Sequence, residues 1–255
     1  MDTGIFFDID GTLRDNDTSI VPQSAARALR RLRDAGYILG IATGRTIYEV
    51  EDNIRDLIDW DVFVCDSGQL VCGKNYEVIY VNFVPEPIVR KCVGIAAKMG
   101  KPLQLTTVEK VFLTGPLSES DFKLYCGYDV PVPVIEEYCG QPVMTVMVIG
   151  YPGYDFHEYR ALEGVTTYPG LFDNIDLVPE GASKHSGIVK ALEHLGLKNY
   201  IAFGDAVNDL EMLKNATVSV AMGGSVPEAA EAADYHTANV LDDGIEKACH
   251  ALKLY

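Results

Sequence analysis

Residues 4–13 read GIFFDIDGTL. A short apolar run, Gly4 to Phe7, has the composition of a buried strand, and the glycine and small polar residues after it break that strand into a loop. Asp8 and Asp10 therefore stand at the carboxyl end of a strand. Two acids at that spacing are open to two readings: a helix-capping and Asx-turn pair, or ligands for a cation. A strand whose side chains cannot solvate carboxylates favours the second, because buried charge needs a partner.

Outward from this stretch the pattern alternates. Pro22 opens a helix to about Ala35, with Ala25, Ala28, Leu29 and Leu32 on one face and Gly36 as its stop. Tyr37 to Ala42 form the next strand, with TGR (43–45) as its exit loop; a helix is predicted over 47–58, a strand over 61–65, and a hairpin through Gly73, Lys74 and Asn75. After residue 180 the alternation resumes with a helix over 183–195, a strand over 200–203 running into GDAVND, a strand over 217–221 and a final helix from Gly244 to Leu252. Right-handed crossovers of this kind make a parallel α/β sheet that binds ligands beyond the carboxyl ends of its strands. DIDGT, TGR and GDAVND all fall there.

Between Phe83 and Glu180 the character changes, with ten of the twelve prolines in that stretch. Helical segments (89–99, 155–163) alternate with β-like runs (111–114, 143–149, 165–168). The expected fold class is thus α/β, a Rossmann-like parallel-sheet core from residues 1–82 and 181–255, with an inserted α+β domain over 83–180.

The net charge is −16, from 37 acidic and 21 basic residues. Such a field repels nucleic acid and anionic lipid, and any phosphorylated ligand needs local positive charge from a metal ion, a lysine or backbone amides. Asp205 and Asp209 supply a second acid pair at another strand end, although GDAVND alone is also a capping turn. Four acids converging on one cleft repel, and hard oxygen ligands suit Mg²⁺. Thr43 has the alternative reading of a turn hydroxyl, Arg45 of a surface ion pair, and Lys184 of a solvated helix-start lysine, a place the helix dipole disfavours for a cation.

In order and spacing, FFDIDGTL (6–13), ATGR (42–45), Lys184 in GASKHSGI, GDAVNDLEML (204–213) and AADYHT (232–237) resemble the haloacid dehalogenase superfamily, specifically the Cof-type phosphatases with a large α+β cap of type IIB. The resemblance covers the whole chain. It implies Asp8 as the nucleophile that takes a phosphoryl group and ligates Mg²⁺, and Asp10 as the acid and base whose backbone carbonyl also ligates the metal. It places Thr43, Gly44, Arg45, Lys184 and Asn208 around the phosphate or the substrate. Asp205 becomes a direct metal ligand, with Asn208 and Asp209 behind metal-bound water. It also implies that the cap selects a small phosphorylated metabolite and closes as a lid. Asp173, Asn174 and Asp176 are candidates for its pocket. The sequence departs from the pattern at Asp66-Ser67-Gly68-Gln69 and at Met222-Gly223-Gly224, both bordering the expected phosphate site.

No GxGxxG, GxxxxGK[ST] or GxSxG stands in the chain, which argues against a dinucleotide enzyme, a P-loop ATPase or a serine hydrolase. The five histidines form no metal-binding pair, with His185 beside Lys184 the one of interest, and the six cysteines form no CxxC. Reduced thiols, the lack of a leader-like N-terminus and the lack of a long apolar run lead to the expectation of a cytoplasmic protein with no membrane partner. Sugar phosphates are the substrates expected first, then phosphorylated cofactors. A phosphomutase and a non-catalytic metabolite-binding protein are the rivals, and the oligomeric state is unreadable.

Overall fold

The computed structural model describes residues 2–128, 131–170 and 172–255. It divides into two compact units, Met1–Tyr80 with Ser183–Tyr255, and Val81–Ala182.

The first unit opens with β1 (Thr3–Phe7), α1 (Gln23–Asp34), β2 (Ile38–Ala42), a single helical turn α2 (Asp52–Arg55), β3 (Val62–Cys65), β4 (Leu70–Gly73) and β5 (Val78–Val81). The chain then builds the second unit from α3 (Glu86–Met99), β6 (Leu103–Thr106), β7 (Val111–Leu113), α4 (Glu119–Tyr128), β8 (Val134–Ile135), β9 (Thr145–Ile149), α5 (His157–Arg160), β10 (Val165–Pro169) and β11 (Asn174–Pro179). It returns to the first through α6 (Lys184–Leu195), β12 (Asn199–Gly204), α7 (Leu210–Asn215), β13 (Val218–Ala221), α8 (Pro227–Ala232), β14 (Tyr235–His236) and α9 (Gly244–Ala251).

The first unit's sheet runs β14-β13-β12-β1-β2-β3-β4-β5. Strands β14 through β3 pair in parallel, and β4 turns back antiparallel on β3. The register sets Phe7 beside Phe203 on one side and Ile41 on the other, so the residues that follow, Asp8, Thr43 and Asp205, emerge at one end of the sheet. Burial on both faces explains the continuous apolar runs: Ile5, Phe6, Phe7, Leu39, Ile41, Val62 and Phe203 are all buried. Burying each such side chain contributes about 1.5–3 kcal/mol.

Helix α6 lies against β3 through Ile188, Ala191 and Leu192. Ser183 caps it by accepting from the Ser186 backbone N–H in a reciprocal capping box. Its approach is close because two glycines face each other: a Cβ on Gly187 would stand 2.7 Å from the Gly68 Cα, and one on Gly68 only 2.0 Å from the Ser183 carbonyl oxygen. This approach buries Lys184 completely at the first turn.

The predicted helix over 47–58 is one turn instead. The carbonyls of Ile47 and Glu49, which that helix would have used, accept from the side chains of Arg55 and Arg45, and Trp60 Nε1 takes the Ile54 carbonyl at 2.8 Å. The helix expected over 155–163 likewise shortens to α5, entered through Phe156 at φ 55° and opened by Asp155, which accepts from the His157 N–H at 3.1 Å.

The second unit is a sheet in the order β10-β11-β9-β6-β7-β8, antiparallel except for the β7–β8 pair. Its strands alternate: Val146 and Val148 join Leu103, Leu105 and Leu177 in a core with Val89, Cys92 and Ala96 of α3, while Met147 and Ile149 join Leu113 and Tyr125 of α4 in a second core. Strands β6 and β11 and helix α4 are absent from the sequence reading. Helix α3 begins three residues before the expected start because Pro87 sits in its first turn, where proline costs no hydrogen bond. All six cysteines are free thiols. Among the described residues no helix is long and apolar enough to cross a membrane.

Candidate active site

The carboxyl ends of β1, β2 and β12 and the start of α6 converge on one cluster. Lys184 Nζ donates to Asp8 Oδ1 and to Asp209 Oδ1, each at 2.6 Å. Oxygens of Asp8, Asp205 and Asp209 all lie within 4.8 Å of one another, and all three residues are buried. The Asp8 backbone N–H continues the sheet onto the Phe203 carbonyl at 3.0 Å, which fixes the acid at the strand end.

The three acids are not equivalent. Asp209 has both oxygens engaged, since Oδ2 accepts from the backbone N–H groups of Asp205 and Ala206 at 2.9 and 3.0 Å. It folds the GDAVND turn and holds Lys184. The Asp205 carboxylate accepts, among the described residues, a single 3.3 Å bond from Thr12 Oγ1. Close packing keeps it next to the first loop: Gly11 has φ +77°, and a Cβ there would fall 2.2 Å from Asp205 Oδ2.

Burial raises the Asp8 carboxyl well above the carboxylate range; Lys184 pulls it down, and the charges of Asp209, Asp205 and Asp10 push it up again. Burial likewise pushes Asp205 up to about 7, with Asp209 adding to it. For Lys184 burial works against the charge, but Asp209 and Asp8 outweigh it, so the ammonium is held more firmly than usual. Fully ionised, three carboxylates against one ammonium would leave two negative charges in a buried space, which is why Asp8 and Asp205 are pushed toward the protonated form. This donor set fits a hard divalent cation, with Asp8 and Asp205 as the carboxylates free to ligate it.

Asp10 stands apart from this cluster. Its carboxylate accepts from Arg45 Nε at 2.7 Å, Arg45 Nη2 at 2.8 Å and Arg14 Nη2 at 3.0 Å. Burial raises its carboxyl, but the Arg45 bond and the charges of Arg45 and Arg14 outweigh that and hold it below its ordinary value. Arg45 is accordingly ion-paired to Asp10 and Glu51, as the surface-pair reading had it, although only 15% of its side chain is exposed.

Thr43 is buried, and its hydroxyl accepts from the Arg45 N–H at 3.1 Å, which leaves its own O–H to donate. Gly44 has no side chain where a Cβ would meet Asn208 Nδ2 at 3.3 Å and Ser67 Oγ at 3.5 Å, so three loops meet beside its Cα. Asn208 Oδ1 is buried with no partner among the described residues. Ser67 lies in the departure segment, where Asp66, Ser67 and Gly68 all have positive φ (51°, 53° and 97°). Glycine adopts such a φ freely, but Asp66 and Ser67 store strain of a kind that concentrates at functional sites. Gly224 of the second departure lines a cavity of about 520 Å³ with Gly11, Asp15 and Asp205.

His185 points elsewhere, its Nδ1 lying 2.8 Å from the Tyr200 hydroxyl. In the second unit Asn174 is buried and its Oδ1 accepts from Phe172 N–H at 3.3 Å, closing the turn before β11; Asp176 lies within that strand and Asp173 just before it. Sequence reasoning missed Thr12, Arg14 and Glu51, and had Ser67 only as part of a departure bordering the phosphate site. Thr12 stood inside the quoted motif, whereas Glu51 carried no local signal.

A strand-end acid cluster with a buried lysine, on a parallel sheet interrupted by an α+β unit, defines a class of α/β hydrolytic enzymes. The family model for haloacid dehalogenase-like hydrolases matches residues 5–249, and the chain belongs to that family as one of its phosphatases. A Bacillus subtilis chain named as a phosphatase, YkrA, is 31% identical, with 98% of this chain and 97% of that one covered. The 5-amino-6-(5-phospho-D-ribitylamino)uracil phosphatase YcsE of the same organism is 26% identical over 96% of this chain and 93% of its own. The solved structure of the subclass IIB sugar phosphatase BT4131 superposes with a TM-score of 0.88 at 26% identity, covering 99% of this chain and 100% of that one.

Proposed function

We propose that this chain is a Mg²⁺-dependent phosphatase of small phosphorylated metabolites, sugar phosphates first, working through an aspartyl-phosphate on Asp8. The observation that carries this reading is the Lys184–Asp8 contact of 2.6 Å inside a buried cluster of three acids. Lys184 stays charged, restrains the Asp8 carboxylate for in-line attack on phosphorus and neutralises the transferring group. Mg²⁺, bound at Asp8 and Asp205, would supply Lewis-acid neutralisation of the phosphoryl oxygens. Asp209 positions Lys184 and the Asp205 backbone, while the Thr43 hydroxyl, the Gly44 amide and Asn208 surround the phosphoryl oxygens.

Asp10 protonates the departing alkoxide and then takes the proton of the water that cleaves the aspartyl-phosphate. Arg45 and Arg14 favour the ionised Asp10, the form required for that second step. Delivering a proton in the first step requires Arg45 to relax its hold, which frees the guanidinium for the substrate. The inserted unit is assigned as the specificity domain. Supporting the substrate class, YcsE is named for a phosphorylated ribityl compound and BT4131 as a sugar phosphatase.

The test is phosphate release from sugar phosphates, pyridoxal phosphate, flavin mononucleotide and an aryl phosphate, with and without Mg²⁺, for wild type and Asp8→Asn. Magnesium-dependent release abolished by the substitution supports the reading. A folded wild type that releases phosphate from none of them overturns it.

A further inference from the structure

Asp10, Arg14, Glu51 and Arg45 form a closed ring of ion pairs. Arg14 bridges Asp10 Oδ1 (3.0 Å) and Glu51 Oε1 (2.7 Å); Arg45 bridges the same two acids, taking both Asp10 oxygens and Glu51 Oε1 at 3.3 Å. The backbone makes this possible by curling tightly after β1: Arg14 N–H bonds the Ile9 carbonyl at 2.9 Å and Gly11 N–H bonds the Arg14 carbonyl at 2.8 Å, returning Arg14 to the side of Asp10. The turn over 46–50, in place of a helix, brings Glu51 in from the other direction.

Stability alone is a poor reason for this ring. Arg14 is only 7% exposed, and its Nε is buried with no partner among the described residues. An apolar side chain there would avoid that desolvation, and replacing buried charge by hydrocarbon is often neutral or stabilising. What Arg14 and Glu51 add is a second point of attachment. When Arg45 lets go so that Asp10 can carry a proton, Arg14 still holds Asp10 Oδ1 and Glu51 still holds Arg14, so the carboxyl keeps its place.

We propose that Arg14 and Glu51 are positioning residues that hold the Asp10 carboxylate in register for proton transfer to the leaving group. This rests on the reading of Asp10 as the acid, and its test separates the two ideas. Benzyl phosphate and 4-nitrophenyl phosphate offer similar shapes, but the benzyl alkoxide must be protonated as it leaves and 4-nitrophenolate need not be. The quantity is kcat/KM, which ends at the first irreversible step and excludes hydrolysis of the aspartyl-phosphate common to both.

Wild type, Asp10→Asn, Arg14→Met, Arg14→Lys and Glu51→Gln are compared, with thermal unfolding of each. The expected result for Arg14→Met is a loss on the order of tenfold for benzyl phosphate, since small misplacement of an acid is costly. The 4-nitrophenyl ester should change by less than about twofold, and Tm should hold or rise. Glu51→Gln shifts the ratio the same way and less, and Arg14→Lys recovers part of it. If Arg14→Met does not fold, Glu51→Gln decides. A substrate split in Asp10→Asn without one in Arg14→Met or Glu51→Gln overturns the positioning role. Equal loss of both substrates in Asp10→Asn removes the acid assignment and the positioning role with it.

Discussion

Two clusters of charge stand within two residues of each other in the first loop, and they are built on opposite principles. Around Lys184 the groups are buried, with side-chain exposures of 0% for Lys184, 6% for Asp8 and 0% for Asp209, and acids outnumber bases. Around Asp10 the two acids are about a third exposed, at 35% and 34%, and two arginines balance them. A balanced, half-solvated ring is complete as it stands. The buried cluster is short of positive charge, and that incompleteness is what makes it a site. Burial amplifies the difference, because charge interactions at Lys184 are screened less than those at the part-exposed acids of the Asp10 ring.

The largest effect expected from breaking this contrast is at Lys184. Lys184→Met leaves three buried carboxylates without their base, and urea unfolding should show a loss of about 3–5 kcal/mol, together with loss of turnover.

The pH dependence of the metal-free protein comes next. Asp205 titrates at about 7 in the fold but near 3.9 in an unfolded chain. The folded state therefore binds more protons between those values, and stability in EDTA should fall as pH rises from about 4 to about 7, by on the order of a few kcal/mol. Magnesium at pH 8 should restore it, by about 2.7 kcal/mol at a hundredfold excess over its Kd. Thermal unfolding with and without the ion measures both, and Asp205→Asn should lose the magnesium response.

Asp8→Asn sharpens the comparison further. It removes one of the surplus charges while Lys184 keeps Asp209, so the inactive variant in EDTA should be more stable than wild type by roughly 1 kcal/mol, as trade-offs at active sites predict. The smallest change in stability is expected in the balanced ring, where Arg14→Met should move the unfolding midpoint by less than about 1 kcal/mol.

The buried cluster was legible in the sequence because each member sits in its own local signal: two strand ends carry the acids and a helix start carries the lysine. The parallel sheet was legible for the same reason, as its strands are continuous apolar runs. The ring was not. It needs Arg14 to curl back on Asp10 and Glu51 to arrive across a segment whose periodicity reads as a helix over 47–58, and that helix fails because Arg45 and Arg55 take its carbonyls. Side-chain competition for backbone acceptors leaves no mark in hydrophobic spacing. In the second unit, β6 is only four residues long after Pro102, and β11 carries Asn174, Asp176 and Pro179, residue types depleted in strands, so neither stands out from loop.

The central claim is that Asp8 itself carries the phosphoryl group. Its most direct test is acid-quenched peptide mass spectrometry of the Asp10→Asn enzyme, in which hydrolysis of the intermediate is slowed, mixed with a turned-over phosphate ester and Mg²⁺. The account predicts one phosphoryl group on the peptide containing Asp8, lost on treatment with hydroxylamine and absent from Asp8→Asn. Phosphate release with no phosphoryl group on that peptide, or with the group on another residue, would contradict it.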